Sequence, residues 1–289
     1  MKKNFILSGT WFLATLMLFA FSSCEKNPEN PDVDPDVDPE EDVQYFDLKV
    51  DNVTRTSAKL IYTPKFEGTY MSGILSWKTF EEEYQCDLEV MRDQDLGWYE
   101  FLAENYGGVW TDYLPEDITS GELITTSKKE GWLFQWNSEY MIYAFGIDAD
   151  GTITTPVEYT KFQTLPRENK DLTFDIQINE IFSNGIDATI TPSNNMDTYF
   201  VSLQRASYVD WWTNPENGVT EDDMMYELVD GCFSEEDLDS YIYSGTFHLT
   251  PEDYKLDRAD ADCYLIVFGF DDGPTTKMEL IPYHSLPKE

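Results

Sequence analysis

Carboxylates are the most abundant reactive groups in this sequence, which has 56 Asp and Glu residues against 19 Lys and Arg residues. Acids are adjacent at residues 81–83, 222–223 and 235–237. A glycosidase needs two carboxylates flanking the scissile bond, one acting as an acid and the other as a base or nucleophile. Among so many acids, adjacency alone does not indicate such a pair, and most of these runs lie at predicted helix starts, where the helix dipole favours negative charge. We therefore predict no catalytic residue and no enzymatic activity.

Histidine and cysteine do not occur at spacings that indicate a nucleophilic or metal site. The histidines are His248 and His284, the CxxC spacing of zinc sites is absent, and no family motif surrounds the cysteines. The run Asp-Ala-Asp-Gly at residues 148–151 is similar to the start of a calcium loop, but Tyr159 stands where an EF-hand needs its Glu. We interpret this run as a hairpin turn and predict no metal and no cofactor.

Tryptophan gives the clearest indication of a binding surface. Six tryptophans, at positions 98, 110, 132, 136, 211 and 212, lie in or beside two regions with helical periodicity. If the segment around Trp211 and Trp212 is extended, these side chains point to opposite faces and at most one can join the core. An exposed indole can stack on a sugar ring or a partner side chain. We predict Tyr208, Trp211 and Trp212 as ligand-binding residues; the alternative is that the tryptophans pack the helices onto the sheets.

The net charge of −37 argues against two classes of partner. A nucleic-acid-binding protein needs a basic face for the phosphate backbone, which so acidic a chain disfavours. The same charge disfavours direct electrostatic docking on anionic lipid.

Two stretches of the chain repeat one strand-forming pattern. Apolar and polar residues alternate at residues 46–50 and again at residues 174–178. Three dipeptides follow in the same order in both copies: Thr-Pro at 63–64 and 191–192, Ser-Gly at 120–121 and 244–245, and Phe-Gly at 145–146 and 268–269. The last pair ends an apolar run that enters a hairpin with a glycine turn. We predict a mainly β fold with two tandem antiparallel β-sandwiches at residues 43–166 and 170–289, from a duplication of about 125 residues.

A helical insertion is predicted before the final strands of each repeat. In the first, Thr79 begins a capping-box sequence, and Trp98, Phe101 and Leu102 share a helical face that ends at Gly107. In the second, a helix is predicted to start at Thr220 with Asp223 and to end at Gly231, and a shorter helix is predicted to start at Ser234. The predicted apolar faces are Met224, Met225, Leu228 and Val229 for the longer helix and Leu238, Tyr241 and Ile242 for the shorter one.

The first 42 residues have the composition of a leader and a spacer. Lys2 and Lys3 precede an apolar run at residues 5–21, followed by Ser22, Ser23 and Cys24, which is typical of a signal peptide over residues 1–23. Residues 24–42 are rich in proline and acid and have nothing to bury, so we expect a disordered tether.

The remaining cysteines are Cys86, Cys232 and Cys263, an odd number for an exported chain. Cys232 and Cys263 lie in the same repeat and could form a disulfide, which would leave Cys86 over. Alternatively, all three are small buried hydrophobic residues.

Two resemblances to known families follow from these motifs. The sequence before Cys24 resembles a bacterial lipobox, with Phe21 in place of the usual Leu, and the acidic segment after it resembles the surface-export signal of Bacteroidota lipoproteins. These resemblances imply lipidation of Cys24 and display on the outer face of the outer membrane. The Thr-Pro strand ends, the core strand and the Asp-Gly hairpin resemble the fibronectin type III-like (Ig-like) modules found in pairs in such lipoproteins, over residues 43–289.

The function that these observations favour is a surface-anchored binding or adhesion protein without catalysis. Its partners would be the membrane, through the lipid on Cys24, and a glycan or a protein bound by the inserted helices and loops. Two alternatives stay open: a glycan-processing hydrolase with two carboxylates facing across a cleft, and a structural subunit of a larger surface complex with a large exposed apolar patch.

Overall fold

The structure is a computed structural model, and it describes residues 43–234, 237–253 and 259–288. The predicted signal peptide, the tether and Cys24 therefore lie outside the described residues. The described residues divide into two compact units between Thr164 and Leu165, and no sheet contains strands from both. None of the described helices is long and apolar enough to cross a membrane.

The first unit is an antiparallel β-sandwich of seven strands. They are β1 (Phe46–Asp51), β2 (Lys59–Pro64), β3 (Thr69–Ser76), β4 (Thr119–Ser120), β5 (Leu123–Thr126), β6 (Glu139–Gly146) and β7 (Glu158–Gln163). One sheet has the order β1-β2-β5 and the other the order β4-β3-β6-β7. The alternation predicted at the start of the repeat is confirmed, because Phe46 and Leu48 are buried between the sheets.

The second unit repeats this arrangement strand for strand. Its strands are β8 (Phe174–Phe182), β9 (Gly185–Pro192), β10 (Thr198–Arg205), β11 (Ile242–Ser244), β12 (Phe247–Leu249), β13 (Asp262–Gly269) and β14 (Glu279–His284). The sheets have the orders β8-β9-β12 and β11-β10-β13-β14. The fold class predicted from the sequence, two tandem antiparallel β-sandwiches, is confirmed.

Helices are inserted between the third and fourth strands of each unit. The first unit has α1 (Trp77–Glu82) and α2 (Leu88–Tyr106), followed by 3-10 turns at Trp110–Asp112 and Leu114–Glu116. The second has α3 (Ala206–Thr213) and α4 (Glu221–Ser234), with 3-10 turns at Pro215–Asn217 and Leu238–Tyr241. The predicted insertion of helices before the final strands of each unit is confirmed.

The inserted helices form a third layer on the outer face of the four-stranded sheet. In β6, Ile142 and Ala144 face the interior of the sandwich, whereas Met141 and Phe145 face a second core that includes α1 and α2. In the second unit, Phe268 of β13 stacks on Phe200, which in turn stacks on Tyr241 of the insertion. Burial on both faces explains why each core strand is a continuous apolar run rather than an alternating one.

Equivalent hydrogen bonds occur in the two units, as a duplication predicts. The hydroxyl of Tyr70 donates to the carbonyl of Gly121 at 3.0 Å, and that of Tyr199 donates to the carbonyl of Gly245 at 2.8 Å. Both glycines have positive φ angles, +69° and +66°, which suit the turn. Each tyrosine therefore ties the third strand to the turn that follows the fourth.

Two helix predictions are confirmed by their caps. Gly107 ends α2 with a φ of 85°. Thr220 and Asp223 form the predicted capping box, in which the backbone N–H of Asp223 donates to the Thr220 hydroxyl at 3.1 Å and that of Thr220 donates to the Asp223 carboxylate at 2.8 Å. The predicted apolar face of α4 is buried.

Other helix boundaries were predicted wrongly. The first insertion begins at Ser76, whose hydroxyl accepts the N–H of Thr79 at 3.0 Å, because the buried Trp77 and Phe80 place the first turn before Thr79. The longer helix of the second insertion continues past Gly231 to Ser234. Ile242 lies in strand β11 rather than in the predicted shorter helix, because it pairs with Phe200.

The buried face of α2 also differs from the prediction. Met91 and Tyr99 are buried and Leu102 packs against the same core, whereas Phe101 is 49% exposed. The helix therefore turns Phe101 towards solvent, with the partly buried Trp98 stacked on it.

Candidate functional site

The three predicted binding residues lie on helix α3, so the expectation of an extended segment is wrong. The helix follows directly from β10, with Arg205 as its N-cap. It is held against the sheet by Val209, which is 1% exposed. It ends at Asn214, whose side chain accepts the N–H of Glu216 at 3.0 Å and starts the turn at Pro215–Asn217. Helical geometry, rather than strand alternation, sets where the aromatics point.

Tyr208, Trp211 and Trp212, here called the α3 aromatic cluster, contact one another. The rings of Trp211 and Trp212 meet edge to face at 4.8 Å, and those of Tyr208 and Trp212 are 6.2 Å apart. Trp211 is 47% exposed, whereas Tyr208 and Trp212 are partly buried. The cluster therefore presents one indole to solvent and uses a second one as its support.

Helix α4 packs next to the α3 aromatic cluster. Burial, and then the nearby carboxylate of Glu227, raises the pKa of Tyr208 to about 12, while a hydrogen bond from Trp212 acts in the opposite direction. Tyr208 is therefore a neutral hydroxyl at physiological pH, held between α3 and α4. The position of α4 explains why Tyr208 and Trp212 are less accessible than Trp211.

An open groove of about 320 Å³ lies beside α3, on the side away from Tyr208. It is lined by Ala206 and Asp210 of the helix, and by Asp262, Tyr264 and Pro282 among the residues of β13 and β14. Two carboxylates and a phenol offer hydrogen-bond acceptors to a ligand in this groove. Such a groove suits a ligand that carries hydroxyl groups or a positive charge.

Cys263 and His284 lie on neighbouring strands but do not form a nucleophilic pair. Cys263 and Tyr283 are paired across β13 and β14, and both are buried. His284, the next residue on β14, points to the other face and bonds to Asp262 at 2.8 Å and to Asp260 at 3.2 Å. These two hydrogen bonds raise the pKa of His284.

Cys232 and Cys263 are thiols and do not form the disulfide that the sequence left open. Cys263 is 1% exposed, and burial raises the pKa of its thiol. It behaves as a small hydrophobic residue, the alternative interpretation from the sequence. Cys86 packs against the core between α2 and the sheet.

Two half-buried carboxyls, Asp95 and Asp230, were missed by the sequence analysis. Burial raises the pKa of each to about 6, with a further contribution from Glu227 for Asp230. The hydroxyl of Tyr143 donates to Asp95 at 2.5 Å. Asp95 could have been found from its spacing, because it occupies the same helical face as Met91 and Tyr99. The two carboxyls belong to different units and so do not form a pair within either sandwich.

The acidic run at residues 148–151 forms the hairpin turn predicted for it. The N–H of Gly151 donates to the carbonyl of Asp148 at 2.9 Å, and the N–H of Thr152 donates to the Asp150 carboxylate at 3.0 Å. Ile147 and Ile153 pair on either side of the turn. Within residues 43–234, 237–253 and 259–288, no three His, Cys, Asp or Glu side chains are placed to hold a metal ion.

No protein-family profile matches the chain, and no curated protein sequence matches it. Among solved structures, a two-domain fibronectin type III segment of chicken tenascin is similar, at 12% identity and a TM-score of 0.24, over 83% of this chain and 98% of that one. The FN1–FN3 domains of chicken CNTN1 are similar at 8% identity and a TM-score of 0.27, over 83% of this chain and 63% of that one. At such TM-scores, nothing about binding or activity passes from these proteins to this chain.

The strand order within each unit identifies the fold. A three-stranded sheet of the first, second and fifth strands faces a four-stranded sheet of the other strands, and all pairings are antiparallel. The two units are tandem fibronectin type III-like, Ig-like β-sandwiches. Their helical layer is an addition to that sandwich.

Proposed function

We propose that this chain is a non-catalytic binding protein, anchored to the outer membrane through a lipid on Cys24 and displayed at the cell surface. Its partner, a glycan or a protein, is bound through the α3 aromatic cluster. The observation that carries the binding role is the exposed indole of Trp211, which is 47% accessible although Trp212 and Tyr208 beside it are packed. A large exposed ring supported by a second ring is typical of a recognition surface.

The surroundings of Trp211 support this role. Residues 214–218 form an exposed turn next to it, and the Asn217 side chain donates to the Trp211 carbonyl, which fixes the end of the helix. Asp210, the neighbouring residue, lines the groove on the other side of α3. A ligand would have to extend across α3 to stack on the indole and to hydrogen bond to the groove carboxylates at the same time.

One stacked ring contributes on the order of 1 kcal/mol, which corresponds to about a fivefold change in affinity. Firm attachment would then need groove contacts as well, or several anchored copies acting on one multivalent partner. This expectation fits a protein held at high local density on a surface.

Separate Trp211→Ala and Trp212→Ala substitutions test the binding role. Trp211→Ala should weaken binding on a glycan array about fivefold and leave the melting temperature nearly unchanged, because little packing is lost. Trp212→Ala should lower the free energy of unfolding by about 2–3 kcal/mol, because its ring supports Trp211 and Tyr208.

Trp132→Ala is the matched control, since Trp132 is 39% exposed in the first unit. It should change neither binding nor stability by much. If Trp211→Ala and Trp212→Ala reduce stability alike and neither changes binding, the α3 aromatic cluster is packing and the proposed site is wrong.

A further inference from the structure

Helix α2 carries a second apolar surface on its outer face, remote in sequence from the α3 aromatic cluster. Val90 and Phe101 are each 49% exposed, and Trp98 stacks on Phe101 at 5.3 Å with an interplanar angle of 21°. Gly97 lies between them at helical spacing. Val90, Gly97, Trp98 and Phe101 are called the α2 strip below.

The exposed side chains of the α2 strip, Val90 and Phe101, do not hold the helix on its unit. That task falls to the opposite face, where Met91 and Tyr99 are buried and the Tyr99 hydroxyl donates to Asp117 at 2.8 Å. Tyr143 of β6 donates to Asp95 on the same inner face. Because Met91 and Tyr99 already anchor α2, the exposed side chains of Val90 and Phe101 are not needed to hold the helix on its unit.

Gly97 is unexplained by the unit itself. Glycine in a helix interior is less favourable than any residue except proline. A Cβ added at Gly97 would meet no atom within 4 Å, so neither crowding nor a positive φ requires glycine there. The missing side chain leaves the backbone open at Gly97, on the helical face that also carries Val90 and Phe101. This opening, called the notch below, is where another molecule can approach the backbone closely.

A row of carboxylates borders one side of the α2 strip. Glu89, Asp93, Glu100 and Glu104 recur at helical spacing and are all exposed. Of these four carboxylates, only Asp93 has a cation in contact among the described residues, namely Arg92 at 2.7 Å. The surface therefore combines an apolar notch with unneutralised negative charge along one edge.

We propose that the α2 strip is a docking surface for a partner polypeptide that presents an apolar side chain flanked by Lys or Arg. The apolar side chain fills the notch over Gly97 against Trp98 and Phe101, and the basic side chains pair with the carboxylate row. A second copy of this chain is a poor occupant, because its net charge of −37 would bring like charges together. This surface is independent of the site proposed on α3.

A synthetic amphipathic peptide of Leu and Lys tests the surface on the full chain, with fluorescence anisotropy as the readout. The control peptide has Glu at every Lys position. The wild-type chain should bind the Lys peptide saturably and lose affinity as salt rises, and it should not bind the Glu peptide.

Gly97→Ala is the decisive variant, because it is expected to stabilise the fold and at the same time to weaken peptide binding. It should raise the melting temperature by about 2–4 °C, since alanine favours the helix. It should also weaken peptide binding by at least about fivefold, since the new methyl group fills the notch. Phe101→Ala should weaken binding by about tenfold or more.

Met196→Ala is the matched control, because Met196 is 87% exposed in the second unit and should not affect peptide binding. Equal binding by wild-type, Gly97→Ala and Phe101→Ala chains would overturn the proposal and assign the signal to non-specific charge attraction. Self-association that is lost in Phe101→Ala would assign the surface to a second copy. Glycan binding that is lost in Phe101→Ala, without peptide binding, would assign it to a sugar; either result also overturns the proposal.

Discussion

Two glycines at the ends of the core strands allow the following hairpins to close onto them. The N–H of Gly146 donates to the Thr155 hydroxyl at 2.7 Å, and the N–H of Gly269 donates to the Thr276 hydroxyl at 2.8 Å. A Cβ on Gly146 would lie 2.3 Å from the hydroxyl oxygen of Thr154, and one on Gly269 would lie 2.4 Å from that of Thr275. No side chain fits at either position without moving the hairpin.

Gly146→Ala and Gly269→Ala should therefore each destabilise their own unit. We expect a loss of about 2–3 kcal/mol in the free energy of unfolding, from steric overlap and a weakened hydrogen bond. Gly231→Ala is the matched control, because a Cβ there meets nothing within 4 Å and the position is helical. Urea denaturation measures all three. A Gly269→Ala chain as stable as the wild type would show that the Thr pair moves freely.

Asp95 makes the stability of the first unit depend on pH. Burial raises the pKa of its carboxyl from 3.8 to about 6, so the folded unit binds this proton more tightly than the unfolded chain does. The resulting stabilisation is fully present below the unfolded pKa and is lost as the pH rises through about 6. At neutral pH, burial of the charged carboxylate lowers the free energy of unfolding by on the order of 2 kcal/mol.

Asp95→Asn should remove this dependence. The amide introduced by this substitution would keep an oxygen that accepts the Tyr143 hydroxyl, without a charge to bury, so the variant should be up to about 2 kcal/mol more stable near neutral pH and no more stable at low pH. Glu100→Gln, at an exposed position of the same helix, is the control. The measurement is thermal unfolding of the wild type and both variants at pH values below and above 6. A stability difference that does not change with pH would contradict this account of Asp95.

At the scale of elements, strand positions could be predicted and the start of α3 could not. Strands are encoded by alternation and by dipeptides that recur at fixed offsets, and β2 and β9 both end at the predicted Thr-Pro. α3 follows β10 with no interruption, and Arg205 makes no side-chain capping bond. Without a cap or a breaker, the sequence carries no local signal for the change from strand to helix.

The candidate site was predicted by residue type rather than by geometry. Adjacent tryptophans indicate a surplus of aromatic surface whatever the secondary structure, so Trp211 and Trp212 could be named from the sequence. Which indole is exposed depends on how α4 packs against α3, and the sequence around the two tryptophans does not set that packing. The binding role of the α3 aromatic cluster stays a prediction until the variants above are measured.

At the scale of the whole molecule, the predicted anchor is the feature that gives the binding surfaces a location. Replacing Cys24 with Ala should move the protein from the membrane fraction to the soluble fraction, because no lipid could then be attached. Cell fractionation followed by immunoblotting measures this shift. Cys232→Ala is the matched control and should remain with the membrane. A Cys24→Ala protein that also remains there would place the anchor elsewhere.

In the first unit, the first and last strands lie side by side and run in the same direction. The Glu158 carboxylate on β7 accepts the N–H groups of Tyr45 and Phe46, at 2.6 and 3.0 Å, and Thr160 donates to the carbonyl of Leu48 on β1 at 3.1 Å. In the second unit, Glu279 on β14 bonds to the N–H of Phe174 on β8. Tension along the chain, as on a tethered protein under flow, would enter through the first strand and leave through the last, sliding the two past each other. These contacts would then be loaded in shear and all at once, so each unit would keep its length under force until its edge fails as a whole.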